Sequence, residues 1–76
     1  MSWKDTVTNP DEVKVFMALE EPNTWRTTGG VSRETGLSEE RVNEILAKYN
    51  LSLTRLSDTP SISGKPLVGL IEIVGA

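Results

Sequence analysis

The apolar positions change their spacing along the chain, and each spacing predicts a different element. In residues 38–49, Val42, Ile45, Leu46 and Tyr49 recur at i, i+3, i+4 and i+7, which predicts a helix with one apolar face. Ser38 stands at its N-cap, and Glu39 and Glu40 fill the first turn, where the helix dipole favours negative charge. Upstream, residues 29–35 predict a shorter helix with Val31 as its one strong anchor and the small Ser32 beside it. Gly36 suits the left-handed residue that closes it, and Leu37 can plug the angle between the two helices. Residues 27–49 thus have the grammar of a helix-turn-helix.

The flanking patterns complete the outline. Residues 1–9 form a lead-in whose Trp3 is expected to pack back on the core. Asn9-Pro10-Asp11-Glu12 is a start signal for a helix over 10–21: a cap, a proline at the first helical position, and a glutamate three residues after the cap. Val13, Phe16 and Met17 share a face there, with Val15 and Leu19 flanking it, and Pro22 ends the run. Residues 24–27 suit a brief strand, with Trp25 as a core anchor. Residues 51–57 and 67–74 read as two strands joined by the turn-rich DTPSISGK, a β-hairpin with a long tip. The second strand, LVGLIEIV, holds one charge, Glu72, and is apolar on both faces. A strand with one solvated face alternates more cleanly. The run therefore needs a cover: the N-terminal segment, Trp3 or another chain.

Composition narrows the chemistry. Seventy-six residues make one small domain, expected to bury most of its apolar groups. The chain has no cysteine and no histidine, which removes disulfides, thiolate metal sites and the commonest general base. Its serines, threonines, lysines, acids and single tyrosine show no paired catalytic arrangement, and a domain this small does not enclose a typical ligand pocket. An enzyme, a cofactor and a metal are not expected. No apolar run approaches a membrane span and no signal peptide opens the chain, so a cytoplasmic protein is expected, complete or an N-terminal domain from its Met1 start. Gly29-Gly30 lacks the Gly-Lys-Ser/Thr of a phosphate loop and is expected to relieve crowding at a helix N-terminus. Net charge is −3. Residues 1–25 hold five acids and two bases, whereas residues 26–76 hold six of each.

The order helix, short strand, helix, turn, helix, strand, loop, strand is that of the winged helix-turn-helix. The segment WRTTGGVSRETGLSEERVNEILAKY resembles the core of small prokaryotic winged-helix domains, with their Trp-Arg-Thr opening, Thr-Gly-Leu turn, Val-x-x-Ile-Leu helix and Gly-Lys/Arg wing. The resemblance spans about Pro10 to Ile73 and implies an α+β, mainly α fold: three helices, a short strand and a C-terminal hairpin wing. It also implies a surface for duplex DNA. The helix over 38–49 would enter the major groove with Ser38, Arg41, Asn43 and Lys48, while Arg33 on the preceding helix, Arg55 and Lys65 on the wing would meet phosphates.

Two functions follow. The first is a DNA-binding module, a small transcriptional regulator. Its cost is charge: Glu40 and Glu44 are among the most outward residues of the predicted recognition helix, and phosphates repel them. Six to ten phosphate contacts are typical of strong DNA binders, and only six bases follow residue 25. The second is a protein-interaction module or homodimer, using the apolar C-terminal strand and the acidic helix face.

Overall fold

A computed structural model describes residues 3–20, 25–57 and 64–75. The fold is α+β and mainly helical, with four helices and a three-stranded antiparallel sheet among the described residues. A single 3-10 turn, Trp3–Asp5, precedes α1 (Pro10–Leu19), β1 (Arg26–Thr27), α2 (Thr28–Thr35), α3 (Glu39–Lys48), β2 (Thr54–Leu56), β3 (Leu67–Leu70) and α4 (Ile71–Val74). None of the described helices is long and apolar enough to cross a membrane.

The helix starts follow their caps. The Asn9 carboxamide oxygen accepts from the Asp11 and Glu12 amides at 3.0 and 3.4 Å, with Pro10 at the first helical position. Thr27 caps α2 through the Gly30 amide at 3.1 Å, and Ser38 caps α3 through the Arg41 amide at 3.2 Å. A Cβ on Gly30 would come within 3.3 Å of the Thr27 hydroxyl, so this glycine does relieve crowding at a helix start; Gly29 has ordinary clearance. Gly36 closes α2 at φ 77°, in the left-handed region that glycine adopts without a Cβ penalty. Leu37 then packs against the core in the angle between α2 and α3.

The buried face of α1 differs from the apolar reading. It is Glu12, Val15, Phe16 and Leu19, the i, i+3, i+4, i+7 set, joined by Ala18. Met17 is 57% exposed and Val13 only partly buried. A charged residue opens the true stripe, so counting apolar positions alone shifts the face by one residue. The end of the helix expected over 20–21, and Pro22, lie at or beyond the described residues: α1 stops at Leu19, with Glu20 as its cap.

The sheet order is β1-β3-β2. Thr27 pairs with Leu67 on one side of β3, and Thr54, Arg55 and Leu56 pair with Leu70, Gly69 and Val68 on the other. The expected hairpin is present, but both of its strands are shorter than the apolar runs. Residues 51–53 form a turn, in which the Ser52, Leu53 and Thr54 amides all donate to the Tyr49 carbonyl and Leu51 takes φ 67°. With β2 beginning at Thr54, the paired residues end at Leu70; the Ile71 amide still donates to the Leu53 carbonyl at 2.9 Å, and among the described residues no pairing with that chain continues beyond it. Residues 71–74 therefore coil into a helical turn that satisfies its own backbone, the Gly75 amide donating to the Ile71 carbonyl at 2.8 Å. The expected strand over 67–74 ends four residues early for this reason. The tip residues 58–63 lie outside the described residues, as does Thr24 of the short strand.

The first half of the apolar run is covered from within the molecule, whereas none of residues 71–74 is buried and Ile73 is 42% exposed. β3 is the central strand, with Val68, Gly69 and Leu70 buried. Trp3 is 2% exposed, and its amide donates to the Glu72 carboxylate at 3.2 Å, tying the lead-in to α4. The core joins Trp3, Val15, Phe16, Leu19, Val31, Val42, Ile45 and Leu70. Trp25 is only half-buried: the Arg55 guanidinium lies 5.7 Å from its ring centroid, and it stands outside the core cluster.

Candidate interaction face

The face to be tested carries α3 and the base of the β2–β3 hairpin. α3 is amphipathic by construction: Val42 and Ile45 are fully buried, Leu46 is partly buried, and the side chains between them point away from the core. The basic ones do not all reach outward. The Arg41 guanidinium lies 3.3 Å from Asp11 and 3.6 Å from Glu44. The Lys48 ammonium lies 2.9 Å from Glu12 and 5.3 Å from the Tyr49 ring centroid. Both cations are thus turned to the N-terminal end of α1, whose first turn is acidic.

Glu12 is the centre of this arrangement. It is 4% exposed and accepts from the Tyr49 hydroxyl at 2.6 Å and from Lys48 at 2.9 Å. The Tyr49 hydrogen bond holds its carboxyl below the usual carboxylate range; burial opposes this, and Lys48 reinforces it. The same hydrogen bond, with burial, pushes the Tyr49 phenol up, and Glu12 pushes the Lys48 ammonium up. A buried carboxylate with two partners is chemically quiet: both oxygens are occupied, so the group clamps α1 to α3.

The seven residues expected to meet DNA are dispersed. Ser38 is used as a helix cap. Arg41 and Lys48 are paired with α1. Arg55 stacks over Trp25 and donates to the Gly75 carbonyl at 3.2 Å. Arg33 is exposed on α2 and makes no ion pair among the described residues. The structure does bring Asn43 and Lys65 together: they line one depression with Thr28, Gly29, Glu39 and Pro66. The acids Glu39, Glu40 and Glu44 are exposed on α3, Glu44 to 70%.

Beside that depression, and sharing Thr28, Asn43 and Pro66 with it, runs a groove of about 350 Å³ between α3 and the sheet. Leu46 and Ala47 form its helical wall, and Thr54, Leu56 and Val68 its floor. Leu56 is 54% exposed. Sequence reasoning missed Asp11, Glu12 and Leu56. The signal for Glu12 was its place four residues before Phe16 on the buried stripe; Leu56 was assigned only to a strand. No protein-family model, curated protein or solved structure matches this chain.

Proposed function

We propose that the chain is a winged helix-turn-helix module that docks a protein in place of duplex DNA, through the face built from α3 and the hairpin base. The element order, with a β2–β3 hairpin following α3, supports the winged-helix part of the reading. The observation that carries the function is the balance of charge on α3: Arg41 and Lys48 pair with Asp11 and Glu12 of α1, though the Lys48 side chain stays 61% exposed, while Glu39 and Glu40 are exposed near an apolar groove with no ion-pair partner among the described residues. Phosphates are repelled by such a face, whereas a protein surface can complement it. The module works without catalysis, cofactor or metal, in the cytoplasm. Val68, Gly69 and Leu70 are covered within the chain while Ile73 is 42% exposed, so a second copy remains the alternative partner at that end.

DNA binding keeps one favourable observation, the meeting of Asn43 and Lys65 near the N-terminal half of α3. Fluorescence-anisotropy titration with mixed-sequence duplex DNA separates the two. With Arg41 and Lys48 engaged by α1, the slope of log K against log salt is expected to fall well short of that of a strong binder with about six to ten phosphate contacts. Tight binding with a much steeper slope, lost on Lys65→Glu, overturns the protein-docking reading.

A further inference from the structure

We infer that the groove between α3 and the β2–β3 hairpin takes a cationic amphipathic segment of a partner protein, its apolar side chains on Leu46 and Leu56 and its lysines or arginines on Glu39 and Glu40. This rests on the protein-docking reading and specifies the partner's chemistry.

The groove joins three kinds of group in the order such a segment needs. Its wall offers Leu46 and Ala47, and Leu56 stands 54% exposed beside the buried Thr54 and Val68. Its rim carries the exposed Asn43 and Asn50, whose side-chain amides make no hydrogen bond among the described residues. Each offers a donor and an acceptor to a neighbouring chain. Glu39 lines the adjoining depression, and Glu40 follows it, exposed, on α3. Glu39 and Glu40 have no ion-pair partner among the described residues, and the Arg41 contact to Glu44 is long, at 3.6 Å.

Charge decides the occupant. Two copies of this chain meeting groove to groove in a twofold contact would place the α3 acids of one beside those of the other. Each chain also carries a net charge of −3, so approach is unfavourable at long range too. Nucleic acid meets the same repulsion. A segment with apolar residues on one side and cations on the other satisfies groove and rim together, the arrangement by which amphipathic helices lie in apolar grooves.

The test uses the full chain and a fluorescein-labelled peptide of about 18 residues, five helical turns, with leucine and lysine at helical spacing. A second peptide carries glutamate in place of lysine. Leu56→Asp alters the groove, and the double variant Glu39→Lys, Glu40→Lys alters the acids beside it. All three positions are exposed, and circular dichroism verifies that the variants fold. The lysine peptide is expected to bind the unaltered chain, to weaken about tenfold or more with either variant, and to lose affinity as salt rises. The glutamate peptide is expected not to bind. Equal binding to the Leu56→Asp variant, equal binding of the two peptides, or no binding of the lysine peptide overturns the cationic partner. A dimer in sedimentation that Leu56→Asp dissociates also overturns it, assigning the groove to a second copy. Steep, salt-sensitive binding of duplex DNA in parallel is a different failure: it removes the docking reading beneath the proposal.

Discussion

At the scale of single residues, Glu12 is the position where sequence and structure part furthest. A carboxylate on a predicted amphipathic helix is ordinarily assigned to water, and as N3 of a capping box it has a local role to play. Here it is buried, because Tyr49 and Lys48 offer two donors at once from the end of α3. Removing the phenol leaves a buried carboxylate with one partner. Tyr49→Phe is therefore expected to destabilise the fold by about 1.5–3 kcal/mol, the range for hydrogen bonds to charged groups, read from urea unfolding at neutral pH. The pH dependence follows from the direction of the shift. Since Glu12 titrates lower in the folded chain than in the unfolded one, its contribution is present above the unfolded value, about 4.3, and is lost as pH falls through the folded value. Glu12→Gln should lower stability at pH 7 and flatten the acid limb of the stability curve. An unchanged acid limb would place the acid-sensitive group elsewhere.

At the scale of elements, the starts and stops that depend on one local rule were legible, and those that depend on a partner were not. Asn9, Ser38 and Gly36 do in the structure what their side chains, or the lack of one, dictate. The lengths of β2 and β3 do not follow from their own sequences. Residues 51–53 and 71–74 are apolar enough for strands, but the turn after Tyr49 leaves the bond from the Ile71 amide to the Leu53 carbonyl as the last main-chain link between the two runs among the described residues. The same limit applies to the candidate face. Helical periodicity placed Glu40 and Glu44 outward with Asn43, Arg41 and Lys48 flanking them, yet the pairing of Arg41 and Lys48 with α1 is a tertiary contact that no spacing within α3 reveals. Two substitutions test the turns. Gly36→Ala puts a Cβ on a left-handed residue and is expected to cost about 1–2 kcal/mol. In a domain of this size, each 1 kcal/mol lowers the melting temperature by roughly 4–8 °C. Leu51 already bears that strain, and its side chain is 78% exposed, so little packing is at stake. Leu51→Asn, a residue that tolerates the left-handed region, is expected to raise stability by up to about 1 kcal/mol in the same melt. A fall in melting temperature would mean that the Leu51 side chain makes contacts worth more than the strain.

At the scale of the whole molecule, the chain is closed by its two ends. The Trp3 ring packs 5.4 Å from Phe16, which meets Tyr49 edge-on at 5.2 Å, so one aromatic row runs from the lead-in through α1 to the end of α3. The Trp3 amide also reaches Glu72, next to the strand that holds the sheet together. A domain of 76 residues buries too little surface to lose such a group cheaply. Trp3→Ala is expected to cost about 3–5 kcal/mol, much of the total stability of a small domain, and to leave a substantial unfolded fraction at room temperature. Trp3→Phe separates packing from polarity. The indole N–H of Trp3 is buried and has no hydrogen-bond partner among the described residues, an arrangement that costs about 1–3 kcal/mol. Phenylalanine keeps much of the aromatic contact with Phe16 and removes that donor, so its loss should be well below that of alanine. The urea midpoint of each variant, at an unchanged slope, measures the difference. If Trp3→Phe fell as far as Trp3→Ala, the N–H would have to be a satisfied group, and the indole would hold the lead-in by a hydrogen bond as well as by its area.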